Sequence, residues 1–532
     1  MMGNKKLQVW LPLIFSIVMV AGMFLGYQLN SRGGNGRGFF AADKRGALQE
    51  VVDLIQLRYV DSVQMDSLEG KAIREMINEL DPHSVYFPPV DLAAANEELE
   101  GSFDGIGVEF NVFNDTVNVV YVIPNGPSDK AGLQIGDKII TVNDSALVRK
   151  DLSSDLIKKF IKGPSGSEVA LKVMRDKQMK TVSVTRGTIP VSSIDAAYMI
   201  TNNIGYLKLN KFSKTSYEEF MASMEALKKK GMQHLVFDLR GNGGGLMDEA
   251  VDMADEFLDG DKLIVYTQGV NSKKREYRCK RPGIMEEGKV VVLVDELSAS
   301  ASEVLAGALQ DWCRATIVGR RTFGKGLVQE QYPLSDGSAV RLTVARYYTP
   351  LGRSIQRSYE KGKKVYMDEL WDRFSNGEML SADSLKAKNN GKQYTNSCND
   401  TLYGGDGISP DVFVPYDTSR AIRKTFSLIS HGGFGSYVYN YYLGHKAKFD
   451  QYKSVKEYLK DYSNNNELWD GLLKSLAGDT TGFIKATPTE KAIIELRLKA
   501  SLARYKWRDS GFYEVLSSDD NVITKATELI SQ

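Results

Sequence analysis

The period of the hydrophobic positions changes along the chain, and each change marks a candidate domain. Between residues 41 and 100, Leu48, Val51, Val52 and Ile55, then Ala72, Ile73, Met76, Ile77 and Leu80, recur at three- and four-residue steps, which predicts helices with one apolar face. That stretch closes on Leu80-Asp81-Pro82-His83-Ser84. Residues 101–188 switch to short alternating runs at 117–123, 138–142 and 169–173, broken by Gly-Pro and Asn-Asp turns; they predict a small β-rich domain with a helix at 152–161. From 190 to 357, strands at 204–209, 235–239 and 290–294 alternate with amphipathic helices at 217–230, 246–258 and 301–313, the pattern of an α/β layer. Residues 358–402 are polar, rich in Lys, Asn and Asp, and interrupt that layer as an insertion. Strand character returns at 408–414, and 420–532 reads as mostly helical with many tyrosines.

Residues 7–29 carry no charge. At about 1.5 Å per residue they are long enough for a hydrocarbon core of roughly 30 Å, so they predict one N-terminal transmembrane helix. Small residues suited to cleavage (Ala21, Gly22) fall only inside the apolar run, which favours an uncleaved signal anchor behind a cytoplasmic tail, 1–6. The glycine-rich 30–40 then reads as a flexible tether. Lys5 and Lys6 are matched by Arg32, Arg37, Lys44 and Arg45 on the far side, so local charge does not orient the anchor.

Composition narrows the chemistry by exclusion. In 532 residues, 68 Lys and Arg against 67 Asp and Glu leave a net charge of +1, which gives no overall electrostatic footprint for nucleic acid. Cys279, Cys313 and Cys398 form no CxxC and predict neither a disulfide framework nor a zinc site. His83, His234, His431 and His445 lie far apart without an HExxH, so a metallohydrolase is not expected, and neither metal nor cofactor is assigned.

Gly105-Ile106-Gly107-Val108 opens a strand through Phe110 and Val112, and Gly126 to Asp137 follows with its own glycine turns. Such a turn can aim successive amides at a carboxylate while the strand edge beside it accepts an extended peptide, an arrangement that resembles a PDZ domain over 101–188. Gly319 to Gly326 nearly fits the phosphate loop GxxxxGK[ST], but Gly326 stands where the Mg²⁺-holding hydroxyl belongs and no amphipathic helix follows. Lys325 therefore needs another role. In Ser298-Ala299-Ser300-Ala301-Ser302-Glu303, Ser300 and Glu303 fit the capping box S-x-x-E before an apolar helix face, so Ser300 has a structural reading as an N-cap. The same position, between a strand and a helix, exposes a hydroxyl and leaves the Ala301 amide able to serve an oxyanion. The preceding strand ends in Asp238-Leu239-Arg240-Gly241-Asn242-Gly243-Gly244-Gly245, whose glycines let backbone amides approach a substrate.

Together these segments, with Thr322-Phe323-Gly324-Lys325-Gly326 and Tyr347 to Gln356, resemble the carboxyl-terminal processing proteases, tail-specific serine peptidases of S41 type, over about 45–420. The resemblance implies a crotonase/ClpP-like α/β protease core at 189–420 preceded by the PDZ domain, with helical regions at 41–100 and 421–532. It implies Ser300 as nucleophile, Lys325 as general base and Gln329 as its orienting residue, with oxyanion amides from Ala301 and from Gly244 or Gly245. Peptide C-termini would be held at Gly105, Ile106, Gly107 and Val108. Lys325 and Gln329 share a face if 325–329 is a strand. The expected partners are proteins with exposed C-termini, not nucleic acid; a homo-oligomer is compatible with the sequence. Because a tail-selecting protease is hazardous inside a cell, the expected location is the inner membrane, single pass, with the catalytic part in the periplasm. The rival readings are a PDZ scaffold that does not cleave, a Ser-His-Asp triad, and an acyl-CoA enzyme of crotonase type; the intact Ser300, Lys325 and Gln329 speak against the first.

Overall fold

The computed structural model describes residues 10, 12, 15–24, 46–148, 152–388, 391–418, 425, 429, 430, 432–462, 466–476 and 486–532. It divides into two units, Met1–Ile73 and Arg74–Gln532. In the first, the helix Ala47–Arg58 has no buried residue. The expected membrane span is corrected here: among the described residues no helix is long and apolar enough to cross a membrane. Residues 7–9, 11, 13, 14 and 25–29 of that expectation, the tail at 1–6 and the tether at 30–40 lie outside the described residues.

The core of the second unit is a six-stranded sheet in the order Ile194–Met199, Ile204–Leu209, His234–Asp238, Val290–Val294, Thr316–Gly319, Val412–Phe413. Its first pair is antiparallel and the rest are parallel. Val290–Val294 is apolar throughout because both faces are covered, as a parallel sheet requires. Leu207, Phe237, Val292 and Ile317 face the helices Ser216–Lys229, Met247–Asp255 and Ala301–Asp311. Tyr206, Val236, Val291, Leu293 and Val318 face the other way, onto Val522, Ile523, Ala526 and Ile530 of the helix Asn521–Ser531. The C-terminal region, which the sequence leaves without a role, thus supplies the second covering layer.

A five-stranded sheet packs beside this core: Ala339–Tyr348 pairs with Val85–Phe87, Leu263–Gln268 and Leu327–Pro333, and Arg275–Arg278 extends the edge. The β-rich domain forms a six-stranded sheet closed by the helix Ser154–Ile161, with Ile157 and Ile161 in its core. Strands Ser102–Gly105 and Gly187–Pro190 pair with each other, which brings both ends of the domain together at the junction with the core. The tyrosines of the C-terminal region pack with Phe449, Trp469 and Trp507 in their own core, and Tyr439 donates to Val119 O of the β-rich domain at 3.0 Å.

The insertion folds as helices Lys363–Ser375 and Ala382–Lys388 followed by the hairpin Gln393–Thr395, Thr401–Tyr403. A disulfide joins Cys398 to Cys313, just past the helix Ala301–Asp311. That corrects the expectation from cysteine spacing: an 85-residue separation has no local signature, and only the docking of the hairpin brings the two together.

Candidate active site

Three turns leave the carboxyl ends of neighbouring parallel strands, and the sheet geometry delivers them to one edge. The first, after His234–Asp238, is the glycine loop. Burial alone would raise Asp238, but Arg240, with Nη2 at 2.7 Å, and Lys208 hold its carboxyl well below the ordinary range. Asn242 then stitches this loop to the serine turn: its side chain donates to Leu209 O at 3.1 Å, and its carbonyl accepts Ala299 N–H at 3.0 Å and Ser302 Oγ–H at 2.9 Å. A Cβ placed on Gly244 would lie 2.8 Å from Ser300 Cβ and 3.0 Å from Ala301 N, so only glycine lets the two turns approach this closely. The Gly244 N–H donates to Asn242 Oδ1 at 2.8 Å, whereas Ala301 N–H is the first of its helix and has no partner within it.

The second turn separates the three serines. Ser298 and Ser302 are wholly buried, and their hydroxyls donate to Leu239 O and Asn242 O at 2.8 and 2.9 Å. Ser300 is half-buried. It stands at the N-cap of the helix Ala301–Asp311 with its N–H held by Glu303, but its hydroxyl makes no cap hydrogen bond and its backbone is at φ 54°, ψ −115° rather than the extended conformation of an ordinary N-cap. A Cβ-bearing residue rarely adopts this conformation, which costs of order 1–3 kcal/mol and is typical of functional turns.

The third turn carries Lys325. Glu303, fully buried, accepts Ser300 N–H and Lys325 N–H through the same oxygen, Oε2, each at 2.9 Å. The two backbone nitrogens therefore cannot be farther apart than twice that distance. Its other oxygen accepts Thr322 Oγ1–H at 2.5 Å and Gly324 N–H at 2.7 Å. Tyr347 bridges the same pair, with its hydroxyl 2.9 Å from Ser300 O and bonded to Lys325 O. Lys325 Nζ donates to Gln329 Oε1 at 2.9 Å, although a bulge at Val328/Gln329 breaks the simple strand alternation. Gln329 Nε2 donates in turn to His83 O at 2.6 Å. Asp81 holds that carbonyl in place by accepting the N–H groups of His83 and Ser84 at 2.8 Å and the Ser84 hydroxyl at 2.5 Å. Burial, then the positive charge of Arg341, lowers the Lys325 ammonium from its ordinary value, against Glu303 and Asp81.

Neither nearby histidine belongs to a Ser-His-Asp triad. The His83 ring meets Tyr366 OH at 2.8 Å, and burial followed by Lys325 pushes it down to about 4. His234 Nδ1 accepts Lys289 N–H at 3.0 Å, at the start of its strand. Sequence reasoning missed Glu303 and Tyr347 as links between the serine and lysine turns, and His83 as the acceptor behind Gln329. Glu303 was visible only as a cap, and the Leu-Asp-Pro-His-Ser segment only as a motif.

In the β-rich domain, Ile106 is buried and Gly107, at φ 74°, turns the chain into the strand Val108–Phe113. This strand pairs with Thr116–Val122 on one side and with no strand on the other among the described residues. Gly105 ends the preceding strand. A strand edge without a strand partner beside a glycine turn suits an added peptide strand, though Glu109 and Phe113 of this strand already meet Arg504, Arg508 and Tyr439 of the C-terminal region.

Comparisons with known proteins match three segments of the chain. A model of peptidase family S41 matches residues 203–362, a PDZ domain model 105–185, and a family of unknown function 425–509. The chain is 31% identical over 382 residues to a carboxy-terminal-processing protease of Bartonella bacilliformis, covering 70% of this chain and 85% of that protein. It is 32% identical over 349 residues to the carboxy-terminal processing protease CtpB of Bacillus subtilis, covering 64% and 72%. To a "probable CtpA-like serine protease" of Staphylococcus epidermidis it is 35% identical over 311 residues, 58% of this chain; the match spans 62% of that relative's length.

Proposed function

Because the chain belongs to the S41 family of serine-type carboxy-terminal processing proteases, we propose that it is an endopeptidase that captures protein C-termini on its PDZ domain and cleaves by a Ser-Lys mechanism. The observation that carries this reading is the single Glu303 oxygen bonded to both the Ser300 and the Lys325 backbone. Neutral Lys325, held by Gln329, takes the Ser300 proton as Oγ attacks the scissile carbonyl carbon. The Ala301 amide stabilises the developing oxyanion, joined by an amide of the glycine loop other than Gly244 N–H, which Asn242 already holds. Lys325 then returns its proton to the leaving amine, and water hydrolyses the acyl-enzyme. Burial makes the lysine a usable base, because a desolvated site disfavours the charged form.

The PDZ part of this reading predicts that the substrate's terminal charge matters. A peptide ending in a free carboxylate meets the amides around Ile106 to Val108, while the peptide backbone pairs with Val108–Phe113. Amidating the C-terminus should weaken binding and slow processing by about tenfold or more, in the range of one lost charge-assisted hydrogen bond. Equal binding and cleavage of acid and amide forms would refute carboxylate capture while leaving the Ser-Lys chemistry standing.

The Cys313–Cys398 disulfide supports placing the folded body outside the cytoplasm, since such bonds persist in oxidising compartments. Thiol alkylation of protein taken directly from cells and then denatured should label Cys279 and spare Cys313 and Cys398 until reductant is added. Labelling of all three without reductant would argue for a reducing compartment.

A further inference from the structure

At residue 362 the peptidase family match ends and the insertion's first helix, Lys363–Ser375, begins. This helix packs against the loop that carries Lys325. Gly324, at φ 90°, and Gly326 flank the lysine, so this turn is held by hydrogen bonds to other elements, Glu303, Tyr347 and Gln356 among them, rather than by backbone preference. The carbonyls of Arg321, Thr322 and Phe323 immediately before Gly324 lie outside any strand and need donors from elsewhere. Arg373 supplies them: Nη1 donates to Thr322 O at 2.7 Å and Arg321 O at 3.2 Å, and Nη2 to Phe323 O at 3.2 Å.

The arginine is itself held. It is 1% exposed, and its Nε donates to the Glu369 carboxylate at 2.9 and 3.0 Å. Glu369 also accepts from Arg321 at 3.0 Å and from Arg357. Burial would raise the Glu369 carboxyl, but Arg373, Arg321 and Arg357 hold it at about 2, so this carboxylate stays ionised at neutral pH.

The same helix reaches the base by a second route. Tyr366 OH lies 2.8 Å from His83 Nε2, and the His83 carbonyl is the acceptor that fixes Gln329, which fixes Lys325 Nζ. Between the two routes, the Arg357 guanidinium sits over the Phe323 and Tyr366 rings at 4.2 and 3.9 Å from their centroids.

We infer that the insertion helix positions the general base, Arg373 through the 321–323 backbone and Tyr366 through His83 and Gln329. Both are positioning residues; neither touches the reacting atoms. The inference rests on the Ser-Lys reading, and its test keeps the two apart. In the full chain, Arg373→Met removes every donor at similar length, Arg373→Lys keeps the charge but cannot fork to three carbonyls, and Tyr366→Phe removes one hydroxyl.

Arg373→Met is expected to lower kcat about 100-fold, the order of loss that follows a misplacement of about 1 Å, with KM for a tail peptide unchanged. Arg373→Lys should fall in between, and Tyr366→Phe should lose about tenfold in kcat, near the worth of one hydrogen bond. In the Arg373 variants the midpoint of the rate against pH should move up towards the ordinary lysine value, as Lys325 leaves the site defined by Arg341, Glu303, Asp81 and His83. If Arg373 only fills buried carbonyls, the melting temperature falls but the folded fraction keeps the wild-type kcat and pH midpoint, and the inference is overturned. Should Arg373→Met fail to fold, Arg373→Lys and Tyr366→Phe decide by the same criteria. Ser300→Ala and Lys325→Ala serve as controls: if either still cleaves, the Ser-Lys reading itself fails, whereas inactive controls beside unaffected Arg373 and Tyr366 variants sink only the positioning role.

Discussion

Ser300→Ala and Lys325→Ala are each expected to reduce cleavage of an unfolded protein by roughly 10⁴-fold or more while leaving the fold and peptide binding intact. Removing both should be little worse than removing either, because the pair acts as a unit. Lys325→Arg should be equally inactive, since an arginine cannot become a neutral base. The capping reading of Ser300 predicts a different pattern, a loss of about 0.5–2 kcal/mol in stability with activity surviving in the folded fraction. Ser298→Ala and Ser302→Ala should keep activity, at a stability cost set by their buried bonds to Leu239 O and Asn242 O. Activity should rise with pH as Lys325 loses its proton, with a midpoint below the ordinary lysine value because burial and Arg341 lower it. The sign for stability follows: between the folded and unfolded values the unfolded chain binds more protons, so this group makes the protein more stable as pH rises through that window. Cleavage assays beside melting curves check both halves; a folded Ser300→Ala enzyme that cleaves at the wild-type rate would return Ser300 to a purely structural role.

The second large effect is expected at Glu303. Its carboxylate accepts four donors from two turns in a fully buried position, and burial raises its carboxyl against those bonds. Glu303→Ala leaves Ser300 N–H, Thr322 Oγ1–H, Gly324 N–H and Lys325 N–H without an acceptor. At about 1–3 kcal/mol for each unpaired buried group, less what relaxation recovers, unfolding should become easier by about 3–5 kcal/mol. Glu303→Gln keeps the shape but turns one acceptor into a donor facing donors. It should fold with a smaller penalty and lose about 100-fold in kcat, because the serine and lysine turns no longer share an anchor. Denaturant unfolding and kcat measured on the same preparations test this, and a Glu303→Gln enzyme of full activity would show that the shared oxygen does not organise the site.

What the sequence disclosed depends on the range of the interaction that fixes each element. The strand Val290–Val294 is legible because an unbroken apolar run needs no partner to be recognised. Ser300, Lys325 and Gln329 are legible as a motif, and the structure brings Lys325 and Gln329 into contact. Val85–Phe87 is invisible in a stretch of helical periodicity, since three residues become a strand only by pairing with Ala339–Tyr348, some 250 residues on. Glu303 looks like a helix cap because it is one; its bonds to Thr322, Gly324 and Lys325 come from the adjacent strand's turn. Arg373 binds carbonyls, which every residue has, so no side-chain pattern marks its target. At residues 7–29 an uncharged run satisfies the length criterion for a span, whereas among the described residues no helix meets it.

The helix Asn521–Ser531 has a consequence for how the chain is made. The outer face of the six-stranded sheet, with Val236, Val291, Leu293 and Val318, is covered by residues that leave the ribosome about a hundred positions after Val412–Phe413, the last strand. At roughly 5–20 residues per second, that interval lasts about 5–20 s. A sheet assembled from the earlier strands before this helix exists presents a row of branched aliphatic side chains without their native cover.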